Sequence, residues 1–203
     1  MNELPTKEQW LRISEEKNAI DYLDKAAFFI KETSANYNHW KWVIIGLHGA
    51  LYGFAIAACR GYDSKSVLTE KGRLISFWQA LKRCQDPKQM KMLIFSTHLV
   101  LSKKQKNSIK SLKSHFRNEF EHFKPKGWSI DVSVIPEIAI DVLEVIRFLA
   151  LQTNTSVHLD DNEHKLVEQL IADSTDLLKK KSELYKEDIQ WRKFYKDEIS
   201  DNH

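Results

Sequence analysis

The apolar positions of this chain fall into helical rhythm over most of its length. Ile20, Leu23, Ala27, Phe28 and Ile30 recur at short helical spacings after Ser14-Glu15-Glu16-Lys17, a cap followed by acids, and predict a first helix over residues 14–33. The SANYNHW segment interrupts that pattern. A second helix is expected from about Asn38 to Cys59, with Gly61 placed to end it. A third is expected from near Thr69, where Thr-Glu-Lys-Gly precedes Leu74, Ile75, Phe77, Trp78 and Leu81. The stretch from Gln85 to Leu101 is ambiguous between a short helix and an extended loop.

A further helix runs from Ser102 to Lys126. Ser102 caps it, and Pro125 ends it. Its stripe of Ile109, Leu112, Phe116, Phe120 and Phe123, at steps of three and four, demands burial. After GWSID, Pro136 opens a fifth helix in its first turn, nearly all apolar through Leu151. From Asp160 onward no proline or glycine interrupts a single helix to about Glu198. There Leu170, Leu177, Leu184 and Trp191 repeat every seven residues, with Val167, Ile171, Leu178 and Tyr185 alongside. That seam suits either packing on the chain's own bundle or self-association.

These elements predict an all-α fold: an antiparallel up-and-down bundle of four to five helices, plus a long C-terminal helix. The bundle takes residues 1–152 and the charged C-terminal helix residues 153–203. The 42% hydrophobic and 29% charged fractions of the 203 residues describe an ordinary globular chain. With 31 basic residues against 28 acidic, the net charge of +3 is too mild to argue for nucleic acid, so only local clustering can.

Three further features bear on place and chemistry. Trp42 to Cys59 is apolar enough for a membrane check, but His48 and the glycines Gly46, Gly49 and Gly53 fit the centre of a bundle better. Cys59 and Cys84 lie in unrelated segments without metal-type spacing, as expected of free thiols in a reducing cytosol. The charged start MNELPTKEQW lacks the apolar core of a secretory signal, so the expected location is cytoplasmic. No phosphate loop or zinc set is expected, and no cofactor. The acids among His158, Asp160, Asp161, Glu163 and His164 suit a helix N-terminus better than a metal.

One polar group remains. Arg117, Asn118 and His122 follow the order Arg-Asn-x-x-x-His beside the buried stripe. On an ideal helix Asn118 and His122 nearly superpose one turn apart, and the long Arg117 side chain can curl toward them. A fixed cation, an amide and an imidazole are the parts needed to cleave RNA without a metal. The 2′-hydroxyl loses its proton and attacks the adjacent phosphate, and the cation stabilises the crowded anion. Upstream lysines, Lys106, Lys110 and Lys113 among them, offer a basic track for the backbone, and Lys124 follows the group. The plainer account is an arginine in an ion pair with Glu119 or Glu121, and a histidine near a helix end.

With Arg117, Asn118 and His122 near the end of the penultimate core helix, within FRNEFEHFKPKGWSID, residues from about Ser14 to Gln152 resemble the HEPN superfamily. The tryptophan-containing, glycine-spaced helix before that segment and the apolar helix after it are also similar to the family. The resemblance implies a metal-independent endoribonuclease whose Arg117 and His122 meet those of a second protomer at a homodimer interface. It makes His122 the general base or acid, Arg117 the phosphate-binding cation and Asn118 the residue that positions them. It further implies RNA as partner, a toxin or phage-defence role, and an antitoxin or nucleotidyltransferase as a companion protein; that no membrane is involved is expected from His48 and the glycines of the apolar helix. Some members only bind, so a non-catalytic RNA- or nucleotide-binding or dimerisation module is the alternative. In the subgroup controlled by a nucleotidyltransferase, a tyrosine lies two residues after the histidine; here that residue is Lys124, which argues against such control.

Overall fold

The computed structural model describes residues 11, 13–60, 63–91, 93, 96–122, 127–153 and 157–200, with side chains to residue 191. Among these residues the fold is all-α. No strand forms, and one isolated antiparallel bridge joins Leu68 to Leu74.

Helix α1 (Glu15–Glu32) starts where the capping signal places it, with Ser14 Oγ accepting from the Lys17 amide at 3.2 Å. Helix α2 (His39–Arg60) returns antiparallel to it. Arg60 locks the far end, donating to Glu15 and to the buried Glu16 at 2.8 Å each. The glycines make the approach of the two helices possible. A Cβ on Gly46 would lie 2.8 Å from the Tyr22 carbonyl oxygen, and one on Gly53 would lie 2.7 Å from Ala19 Cβ.

The apolarity of α2 follows from its place at the centre, packed by α1 and by α3, α7 and the helix that follows Ser102. Trp40, Ile44, Leu47, Leu51 and Phe54 are fully buried there. Among the described residues α2 is the one helix long and apolar enough to cross a membrane, and 67% of its most apolar window is buried inside the bundle. Gly61, expected to end it, lies outside the described residues.

The third helix begins later than its apolar series suggests. Thr69 to Arg73 form a turn, with the Thr69 amide donating to the Arg73 carbonyl at 2.7 Å and Gly72 at φ +69°. That left-handed residue suits a turn and breaks a helix. Helix α3 (Phe77–Cys84) starts instead at a capping box between Ser76 and Gln79. Leu74 and Trp78 are exposed as a result. The ambiguous stretch contains the short helix α4 (Pro87–Lys91), and residues 96–100, without regular secondary structure, meet the end of α3, where the Leu99 amide donates to the Cys84 carbonyl at 2.7 Å. Cys59 and Cys84 are free and buried, and α2 and α3 bring the two thiols side by side despite their distance in sequence.

Helix α5 (Lys103–Lys110), capped by the Ser102–Gln105 box, continues through a π-helical segment (Ser111–Arg117) into α6 (Asn118–Glu121). Ile109 and Leu112 are buried, and Phe116 and Phe120 pack partly against the core. Phe123, Lys124 and Pro125 lie outside the described residues. Helix α7 (Ile135–Leu151), with proline in its first turn, runs antiparallel to α5. Its buried Asp141 accepts from Ser108 Oγ at 2.6 Å and pairs with Lys104 at 3.1 Å.

Helix α8 (Asp161–Ser200) is capped by Asp160, whose carboxylate accepts from the Asn162 and Glu163 amides. Its first half packs on α1 and α7. The buried line is Val167, Ile171, Ser174, Leu178 and Ser182, not the seven-residue series. Leu170 and Leu177 are only partly buried, while Leu184 and Trp191 stand 63% and 62% exposed.

Candidate functional site

The Arg-Asn-x-x-x-His group sits where the α5–α6 rod departs from regular α geometry. Bonds of the i→i+5 type over Ser111–Arg117 add about one residue to a turn, rotating the residues beyond it by about 100° relative to an unbroken α-helix. In unbroken α register Arg117 would project to the side of the apolar stripe. In the π register it turns toward α2, and its side chain is only 23% exposed.

Three contacts define the guanidinium. Arg117 forms an ion pair with Glu121, one turn on. Its Nη1 donates to Asn118 Oδ1 at 3.3 Å, so the amide does hold the cation. Its Nε is buried without a partner among the described residues. Arg117 and Asn118 thus touch, and the Glu121 ion pair is the one the plainer account of the arginine expects.

His122 is placed differently from the ideal-helix expectation. It is the residue on which α6 ends, with φ −105° and ψ 90°; its amide still donates to the Asn118 carbonyl at 2.9 Å. The chain leaves helical geometry at this residue, so the continuing-helix register with Asn118 is broken there, and His122 is exposed.

The basic track is also divided. Lys106 borders a small cavity with Trp78, Leu81 and Leu101, Lys110 is exposed, and Lys113 is half-buried toward α2. The π turn separates Arg117 from the line that Lys106 and Lys110 would share with it in an α-helix. Lys124 lies outside the described residues.

In the sequence His48 argues only against a membrane span. The structure puts it against the site. The ring is 9% exposed, stacks on Phe77 at 4.7 Å and 24°, and leaves Nε2 buried without a partner among the described residues. Burial, and then the positive charges of Arg117 and Lys113, push its pKa down to about 4, so the ring is neutral near pH 7. An imidazole in the middle of the apolar run, away from His39 at the helix start, was the available signal.

Among the described residues no group of three or more His, Cys, Asp or Glu side chains is placed to hold a metal ion. Comparisons with known proteins add no assignment: no family model matches the sequence, and neither a curated protein nor a solved structure matches it.

Proposed function

We propose that this chain is a HEPN-like, metal-independent endoribonuclease that acts as a homodimer. The observation that carries the reading is Arg117, turned inward by the π segment and held by Asn118 within an all-α bundle. A guanidinium pinned by its own helix is a preorganised cation for the two non-bridging oxygens of a phosphodiester under attack.

The chemistry follows from the groups present. An imidazole takes the proton from the 2′-hydroxyl, whose oxygen attacks the adjacent phosphorus. The P–O5′ bond breaks, leaving a 2′,3′-cyclic phosphate, and an imidazolium returns a proton to the departing 5′-oxygen. His122 is the exposed imidazole available for this role. In this reading, as the HEPN resemblance implies, a second protomer brings Arg117 and His122 together onto one phosphate. Glu121 must release Arg117 as the phosphate arrives. A cytoplasmic toxin or phage-defence role, with an antitoxin or nucleotidyltransferase companion, belongs to the same reading.

The Arg117–Glu121 ion pair also favours a second reading, in which the arginine is a structural partner of its own helix and the module binds RNA or nucleotides, or dimerises, without cleavage. Purified protein incubated with single-stranded RNA and EDTA separates the two. The nuclease yields fragments ending in 2′,3′-cyclic phosphate, and His122→Ala and Arg117→Ala abolish them. Uncut RNA, or cutting that survives His122→Ala, overturns the assignment.

A further inference from the structure

One turn beyond Arg117 the rod borders a cavity of about 510 Å³ that the cleavage group does not use. Its walls come from three places in the chain: Tyr37 to Trp42 at the start of α2, Phe120 on α6, and the segment from Trp128 to Ile135 that leads into α7. The volume is in the range of small-ligand sites.

Its composition is unusual for a gap between helices. Tyr37 and Trp128 are 63% and 42% exposed, so large aromatic faces stand open to water. Phe120 meets Trp128 edge-on at 5.1 Å and fixes that ring. Across the cleft, Trp42 is braced by Phe29 at 6.0 Å, with Lys41 Nζ 5.0 Å from its ring centre. Among the described residues Lys41 is the only charged one lining the cavity, and no carboxylate lines it. Asn38 adds a side-chain amide to the same wall.

We propose that this cleft binds an unpaired base of single-stranded RNA, stacked on Trp128 and Tyr37, with the adjoining phosphate drawn to Lys41. The proposal rests on the nuclease reading for the identity of the polymer, and it names the substrate as single-stranded. Aromatic faces stack on any base, a lone cation suits the phosphate that accompanies it, and an amide can meet a base edge. Phe120 is three residues from Arg117, about 4.5 Å along the helix axis, so an RNA base held here brings neighbouring backbone to the guanidinium. A duplex keeps its bases stacked inside and cannot fill the cleft.

The test uses the full chain and a fluorescein-labelled 2′-O-methyl RNA of about ten nucleotides, which binds as a single strand but lacks the hydroxyl needed for cleavage. Fluorescence anisotropy gives its Kd. Trp128→Ala and the exposed Tyr37→Ala are each expected to weaken binding about ten-fold to a hundred-fold, the range for loss of a stacked base, while Trp128→Phe retains most of it. A self-complementary duplex of the same length should bind at least about ten-fold more weakly than the single strand.

The outcomes separate the cleft from the catalytic reading. If Trp128→Ala and Tyr37→Ala, both folded by circular dichroism, bind the strand like the native protein while His122→Ala abolishes cleavage of ordinary RNA, the cleft proposal fails and the nuclease stands. If binding depends on both aromatics but ordinary RNA is never cut, the cleft stands and the nuclease fails. Absence of binding to the strand, or a proline-rich peptide bound at the cleft in its place, overturns the proposal.

Discussion

Arg117, on the π turn that packs against α2, lies near enough to His48 of α2 for its charge to act on the ring, and each keeps a buried nitrogen, Nε and Nε2 respectively, without a hydrogen-bond partner among the described residues. The arginine's charge is one reason the imidazole stays neutral. The apolar middle of α2 thus carries a buried imidazole near the place where the candidate cation is held.

The first prediction concerns pH. The His48 pKa falls from 6.5 to about 4 on folding, through burial and the charges of Arg117 and Lys113. Below about 6.5 the unfolded chain takes up a proton at this ring that the folded chain refuses. Stability from this group is therefore fully present above about pH 6.5 and is lost as pH falls toward 4, by about 3 kcal/mol at most. Urea unfolding from pH 7.5 to pH 4.5 should show a flatter slope for His48→Gln than for the native chain. An equal slope would mean that other groups set the acid limit.

Glu121 competes with a phosphate for Arg117. Glu121→Gln should tighten binding of the 2′-O-methyl strand by about five-fold, equivalent to roughly 1 kcal/mol for a partly exposed pair. Arg117→Lys should weaken it, because a single ammonium cannot present the planar fork. Unchanged affinity in Glu121→Gln would point to the structural reading of the ion pair.

Asp141 and Lys104 share one bond but not one fate. Asp141→Ala strands the buried Ser108 hydroxyl and loses a charge-assisted bond, so about 2–3 kcal/mol of stability should go. Lys104, two-thirds exposed, is solvated when its partner is absent, and Lys104→Ala should cost less than about 1 kcal/mol. Equal losses from denaturant melts would contradict this account of the α5–α7 contact.

Gly46→Ala tests the close approach of α1 and α2. Alanine favours a helix by about 1 kcal/mol, but its Cβ would meet backbone, the Tyr22 carbonyl oxygen, at 2.8 Å. Overpacking of that kind costs about 1–3 kcal/mol, so a net loss is expected, read as a lower Tm. A higher Tm would show that the helices part without penalty.

Local signals carried much of the fold. The all-α class follows from periodicity, and Ser14, Ser102 and Pro136 stand at or beside the helix starts they announce. The packing role of Gly46, Gly49 and Gly53 was also legible, since small residues in an apolar helix admit a neighbouring backbone. These features depend on bonds within a turn or two of the residue concerned, and a short window of sequence contains them.

What only the tertiary structure decided depends on neighbours far along the chain. The α3 boundary is not of that kind: Gly72 and the Ser76 box, which set it, are local signals that the apolar series from Leu74 masked. The buried line of α8 is chosen by α1 and α7 rather than by the seven-residue spacing of its leucines. Arg117, Asn118 and His122 were adjacent in sequence, but the π register, the Glu121 pair and the helix end at His122 set where each one points. The aromatic cleft joins residues near 40, 120 and 130, and His48 meets Arg117 across a gap of some seventy positions. Hydrophobic periodicity says that a face is buried; only the packed bundle says against what.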